Sequence, residues 1–153
     1  MKTRVLMVCL GNICRSPLAE GILKSKVDPN KIIIESAGTG SWHVDHSPDP
    51  RSISVGKRYG LDITDQRGRQ FEPADFDRFD HIYVMDTSNY DDVIAQARND
   101  EDIQKVKLIL DEIFPGEKVD IPDPYHGGAH GFENVFQMLD EACEVIASKL
   151  NKE

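Results

Sequence analysis

The chain predicts an α/β fold: a four-stranded parallel sheet with helices on both faces. Three observations lead there. Four short apolar runs, Arg4–Val8, Ile32–Ser36, His81–Met85 and Lys107–Leu110, read as buried strands. Stretches of helical character separate them, and a strand–helix–strand alternation places parallel strands in one sheet. With 153 residues, 39% hydrophobic and 29% charged, the chain suits a single domain over residues 1–153 with a sizeable core.

The elements follow in order. The first strand ends at Cys9, and a helix over Pro17–Lys26 buries Leu18, Ile22 and Leu23. Helices over Pro50–Tyr59 and Asn89–Arg98 follow, the latter with Ser88 as its expected cap. The last helix carries Phe132, Val135, Phe136, Leu139, Ala142, Cys143, Ile146 and Leu150 at helical spacing, a stripe that packs on the sheet. No repeat, Pro/Ser-rich linker or charge run marks a second domain.

Composition narrows the function. The net charge of −9 argues against nucleic-acid and acidic-membrane partners, so an anionic ligand must be held by local groups. The longest apolar stretch, Val5 to Leu10, is too short to span a membrane, and Gly11-Asn12 interrupts any signal-peptide pattern. Cytoplasmic residence is the expectation. Three cysteines form neither a disulfide framework nor a metal pattern.

The most informative stretch is Cys9-Leu10-Gly11-Asn12-Ile13-Cys14-Arg15-Ser16-Pro17. A thiol at a strand end, facing a helix N-terminus, lies in a field that favours thiolate. The same backbone N–H groups suit a phosphate, and Arg15 adds a planar fork of donors for two of its oxygens. Gly11 and Asn12 supply the left-handed angles a wrapping loop needs. The bare Cys-x5-Arg spacing is a weak signal, expected by chance with a probability of roughly 0.16; the strand before it and the hydroxyl-proline helix start after it make it specific. Cys14 is either a partner for a reversible Cys9–Cys14 disulfide or buried filler beneath the loop. Cys143 falls on the helical stripe and reads as core.

In parallel sheets ligands bind beyond the carboxyl ends of the strands. Cys9, Gly38-Thr39-Gly40 and Asp86 each follow a strand and converge on that rim; Gly38-x-Gly40 lacks the third glycine of a dinucleotide fingerprint. A second constellation lies before the last helix. Pro122 and Pro124 stiffen the backbone around Asp123, which is what a general acid requires. Asp in a Pro-rich turn is also ordinary turn chemistry, and only the cysteine loop tips the balance.

The Cys9–Pro17 loop with Asp123-Pro124-Tyr125 resembles the low-molecular-weight protein tyrosine phosphatases. Ser36-Ala37-Gly38-Thr39, Trp42, Pro48-Asp49-x-Arg51, Arg69-Gln70 and Met85-Asp86-x-Ser88-Asn89 extend the resemblance over essentially the whole chain. It implies a flavodoxin-like three-layer sandwich and hydrolysis of phosphotyrosine. By the resemblance Cys9 is the nucleophile, Arg15 the transition-state clamp and Asp123 the acid and base. Leu10, Gly11, Asn12, Ile13, Cys14 and Ser16 complete the phosphate loop. Ser16 bonds the sulfur, Asn12 with Ser36 holds the loop's shape, and Trp42 and Tyr125 wall the substrate ring. Tyrosine-phosphorylated proteins are the implied partners, with no cofactor and no metal.

Two positions depart from the family. His126 stands where many members carry a second tyrosine, and Gln66 near where relatives carry a loop-supporting histidine. Alternatives on the same fold are arsenate reductase, which needs relay cysteines that this chain lacks between Cys14 and Cys143, and protein arginine phosphatase, whose members tend to carry threonine where Ile13 stands. Isoleucine offers methyl surface suited to an aromatic ring. A catalytically dead phosphate binder would lack one of Cys9, Arg15 and Asp123, and all three are present.

Overall fold

The computed structural model describes residues 2–125 and 129–152. The four strands are β1 (Thr3–Cys9), β2 (Ile32–Gly38), β3 (His81–Val84) and β4 (Val106–Leu108), all parallel and ordered β2-β1-β3-β4. The helices are α1 (Arg15–Lys24), α2 (Pro50–Arg58), α3 (Asp75–Arg78), α4 (Thr87–Ile94), α5 (Asp100–Gln104) and α6 (Ala129–Leu150). This is the doubly covered α/β sandwich that the strand–helix alternation predicts.

Alternation along β1 divides the interior in two. Val5, Met7 and Cys9 face a core filled by Leu18 and Ile22 of α1 and by Val135, Leu139 and Ile146 of α6. Leu6 and Val8 face the opposite side, a smaller core of Phe71, Phe76, Phe79 and Val93. Both faces of β1 are therefore apolar, the pattern of a central parallel strand. The α6 stripe packs as expected, and Cys143 is fully buried within it.

Several boundaries differ from the sequence expectation. Helix α1 begins at Arg15 rather than Pro17, so Arg15 and Ser16 lie in its first turn. The helix after β3 begins at Thr87 and ends at Ile94; its cap is Asp86, which accepts the Asn89 N–H at 2.7 Å, and not Ser88. Asp outcompetes Ser here because the carboxylate also meets the helix dipole. Strand β4 stops at Leu108, where Ile109–Glu112 turns into a 3-10 helix. Helices α3 and α5 are short, acidic and without an apolar stripe, so periodicity did not reveal them.

One buried charge ties this frame to the loop after β1. Asp75 has no exposed side-chain surface and accepts from both terminal nitrogens of Arg69 at 3.0 Å, from Arg78 and from the Glu72 N–H. Arg69 in turn donates its backbone N–H to Asn12 Oδ1 at 3.0 Å. Removing a buried carboxylate strands its cationic partners. Asp75→Ala is expected to cost about 3 kcal/mol in chemical denaturation; a loss below about 1 kcal/mol would show that water replaces the carboxylate at no cost.

Candidate active site

The loop between β1 and α1 encircles a pocket of about 270 Å³ at the carboxyl rim of the sheet. Cys9 and Arg15 line it from below, Asp123 and Tyr125 from one side, and Trp42 and His43 from the mouth. Leu10, Gly11, Ile13 and Cys14 complete its wall; Asn12 and Ser16 stand behind it. Cys9, Arg15 and Asp123 are thus brought together as expected.

The loop keeps its shape through polar contacts on its outer side. Asn12 is the left-handed residue, with φ 58, while Gly11 is not among the residues with positive φ. The Asn12 amide donates to Ser16 Oγ at 2.8 Å and Ser36 Oγ at 2.9 Å, and its oxygen accepts from Arg69. A buried amide with these partners offsets the cost of the left-handed angle. Gly38 lets the loop lie against β2: a Cβ there would stand 2.8 Å from the Leu10 carbonyl oxygen.

The carbonyls of Cys9, Leu10 and Ile13 are turned outward, accepting from Thr39, Gly40 and Asp49 N–H groups at 2.8–2.9 Å. Among the described residues the N–H groups of Leu10, Gly11, Ile13 and Cys14 meet no protein acceptor. A ring of unsatisfied donors at a helix start is an anion cradle. Cys9 Sγ lies at its floor, 3.0 Å from Ser16 Oγ and 3.3 Å from the Asn12 N–H that donates to it. The Asn12 N–H thus places a donor on the sulfur, and the Ser16 hydroxyl stands within hydrogen-bond reach of it.

Arg15 is 2% exposed. Its Nη1 donates to Asp86 Oδ2 at 2.6 Å and to the Ile121 carbonyl at 2.8 Å, and Nη2 stands 3.8 Å from Asp123. Burial opposes its charge, yet Cys9, Asp86 and Asp123 together hold the guanidinium above its ordinary value. Asp86 was expected at the rim but not as the partner of Arg15; 71 positions separate the two, and only the β1–β3 pairing brings them together. Its carboxylate serves twice, capping α4 with Oδ1 and aiming Arg15 with Oδ2.

Asp123 is partly exposed, with its carboxylate accepting the Tyr125 N–H at 3.0 Å. Tyr125 is held in turn by Arg51, whose guanidinium lies over the ring and donates to the Tyr125 carbonyl at 2.9 Å. The hydrogen bonds from Arg51 also hold the Asp49 carboxyl below its ordinary range, against the effect of burial. Trp42, 67% exposed, stands at the mouth as expected. His43 beside it was not singled out; its only sequence signal was adjacency to Trp42. Gln66 donates to the Pro17 carbonyl at 3.1 Å and so braces the first turn of α1. His126 lies outside the described residues.

Cys14 is buried beside Cys9. Burial, with Asp49 and Cys9 nearby, pushes its thiol up to about 12, so it stays protonated at neutral pH. Cys9, Cys14 and Cys143 are all free.

A thiol over a ring of amides and a buried arginine, at the rim of a parallel sheet, defines an α/β protein built to hold a tetrahedral anion against a cysteine. Comparisons agree. The family model for low molecular weight phosphotyrosine protein phosphatase matches residues 4–153. A Schizosaccharomyces pombe protein of that name is 39% identical over 151 residues, covering 95% of this chain and 96% of the relative. The Synechocystis protein slr0328, whose name carries the same family, is 44% identical over 98% of both chains. A crystal structure of a protein tyrosine phosphatase from Entamoeba histolytica, with Hepes in its active site, superposes with a TM-score of 0.91 at 37% identity, covering 99% of this chain and 98% of that one. The chain belongs to the low molecular weight phosphotyrosine protein phosphatase family.

The Asp86 contact makes a direct prediction. Asp86→Asn keeps the cap oxygen but weakens the charge-assisted bond to Arg15, and kcat/KM for an aryl phosphate is expected to fall about 10- to 100-fold. Unchanged turnover in the folded variant would show that Ile121 and Asp123 suffice to aim the guanidinium.

Proposed function

We propose that this protein hydrolyses phosphotyrosine in proteins through a phosphocysteine intermediate, without metal or cofactor in the reaction. The observation that carries the reading is the cradle: four open N–H groups and the Arg15 guanidinium around Cys9 Sγ. Cys9 thiolate attacks phosphorus in line with the departing phenolic oxygen, a sulfur–phosphorus bond forms, and the phosphorus–oxygen bond breaks. Asp123 gives its proton to the leaving oxygen. It then takes a proton from the water that attacks the phosphocysteine, and inorganic phosphate leaves as the thiolate is restored. Arg15 and the loop amides carry the charge on the equatorial oxygens in both steps. Ser16, bonded to the sulfur, eases its departure.

The walls of the pocket support an aryl ester. Ile13, 8% exposed, offers methyl surface to the substrate, with Trp42 and Tyr125 on the outer walls. A guanidino phosphate would find no hydroxyl at position 13, which disfavours phosphoarginine. Arsenate reduction is disfavoured as well: Cys143 is fully buried and directed at the Ala19 carbonyl, away from the pocket.

The experiment is hydrolysis of a phosphotyrosine peptide and of p-nitrophenyl phosphate at mildly acidic pH in the presence of chelator. Turnover is expected in the native enzyme and none in Cys9→Ser. Asp123→Asn is expected to lose about 10²- to 10⁴-fold on the peptide and less on the nitrophenyl ester, whose leaving group needs little protonation. Turnover of phosphoarginine in preference to both esters would overturn the reading.

Free thiols fit a reducing compartment, and we place the protein in the cytoplasm. No helix among the described residues is long and apolar enough to cross a membrane. Redox sensitivity belongs to the same proposal: peroxide oxidises Cys9 to a sulfenic acid, and the Cys14 thiol in the same loop displaces water from it to close a disulfide. Peroxide inactivation is expected to be reversed by thiol in the native enzyme and to become irreversible in Cys14→Ser; equal recovery in both would remove the disulfide.

A further inference from the structure

His43 and His46 stand on the loop between β2 and α2, and the phosphatase mechanism uses neither as acid or base. Their Nδ1 atoms are 3.3 Å apart, with ring centroids at 5.4 Å and planes inclined by 56°. The loop's backbone sets this approach. Asp45 between them is left-handed, with φ 66, and the His46 N–H donates to the His43 carbonyl at 3.0 Å. Two more bonds pin the turn to Gly68, from the Asp45 N–H at 2.7 Å and to the His46 carbonyl at 2.9 Å. Gly68 admits this contact because a Cβ there would lie 2.3 Å from the His43 carbonyl oxygen.

The geometry points to a divalent transition-metal site in which His43 and His46 bind the ion through Nδ1, Zn²⁺ being one that fits. In a tetrahedral site with metal–nitrogen bonds of about 2.05 Å, two imidazole nitrogens lie about 3.3 Å apart. The pair therefore stands at the edge length of the coordination tetrahedron, and the pinned turn supplies it before the ion arrives. Imidazole nitrogen selects borderline ions such as Zn²⁺, Cu²⁺ and Ni²⁺ over Mg²⁺ and Ca²⁺. No third His, Cys, Asp or Glu joins the pair among the described residues, which leaves the remaining positions to water or to an anion's oxygen. His46 is exposed, giving the ion access from solvent, and the net charge of −9 favours a cation's approach.

The site would act on its neighbour. A metal at Nδ1 requires the proton to sit on Nε2. His43 lines the pocket mouth, its ring 6.2 Å from that of Tyr125 and packed against Gly11. Metal binding thus fixes His43 as an N–H donor at the mouth and clamps the loop that carries Trp42. The ion takes no part in phosphoryl transfer.

The same 3.3 Å separation also suits a hydrogen bond between the two rings, and a zinc ion can seek the Cys9 thiolate instead. Calorimetric titration of reduced protein with Zn²⁺ separates these cases. One-to-one binding is expected in the native protein and in Cys9→Ser, and at least about tenfold weaker binding in His46→Gln. His46→Gln should keep metal-free hydrolysis of an aryl phosphate within about twofold of the native rate, which with an unchanged circular dichroism spectrum shows the fold intact. Absence of saturable binding in the native protein, equal affinity in His46→Gln, loss of the site in Cys9→Ser, or equal affinity for Mg²⁺ would each overturn the proposal.

Discussion

Arg15 is a permanent cation held at 2% exposure, and the rest of the site is arranged to make that burial tolerable. An unpaired guanidinium in such a place would cost several kcal/mol. Asp86 supplies the close carboxylate, the Ile121 carbonyl a second acceptor, and Asp123 a more distant charge. Each comes from a different part of the chain. Asp86 follows β3, which pairs with β1, and Ile121 is drawn to the same rim because its N–H donates to the Met85 carbonyl at 2.8 Å. The sheet order β2-β1-β3-β4 is therefore a condition for the clamp: with another strand beside β1, Arg15 would lack its carboxylate. A guanidinium fixed in this way needs no reorganisation when charge develops on the equatorial oxygens of a phosphoryl group.

The thiol depends on a second, neutral network. Asn12 takes the left-handed turn and spends both ends of its amide on Ser16, Ser36 and the Arg69 N–H. Ser16 also faces the sulfur, so the group that stabilises the loop is one hydrogen bond away from Cys9 Sγ. Through Arg69 the network reaches Asp75, a fully buried carboxylate on the other face of the sheet. Stability and chemistry share these residues, which is why the loop can leave four N–H groups open without collapsing onto its own carbonyls.

Much of this was legible in the sequence, and the omissions have physical causes. Strands β1 to β3 are runs of apolar and β-branched residues, which single them out in any window, and α6 repeats its apolar residues from Phe132 to Leu150. Cys9 and Arg15 were readable because residue type and local spacing encode them, and Asp123 only in combination with that loop. The pairing of Arg15 with Asp86 was not, because it depends on which strands lie side by side. Pro17 suggested the first helical residue, yet α1 begins two positions earlier, since the loop after β1 is already helical at Arg15. Gly11 and Asn12 both suited a left-handed angle by type, and of the two Asn12 takes it because its side chain finds three partners there. His43 escaped notice because a histidine beside a tryptophan has no distinguishing pattern until the turn brings His46 against it.

The central claim is that sulfur, not water, attacks phosphorus first. Rapid acid quench of the enzyme turning over an aryl phosphate, followed by mass analysis of the peptide that carries Cys9, tests it most directly. A phosphate adduct on Cys9, accumulating further in Asp123→Asn as hydrolysis of the intermediate slows, is the predicted result. Steady turnover with Cys9 unmodified at every time point, together with full activity in Cys9→Ser, would contradict the account and assign the attack to water.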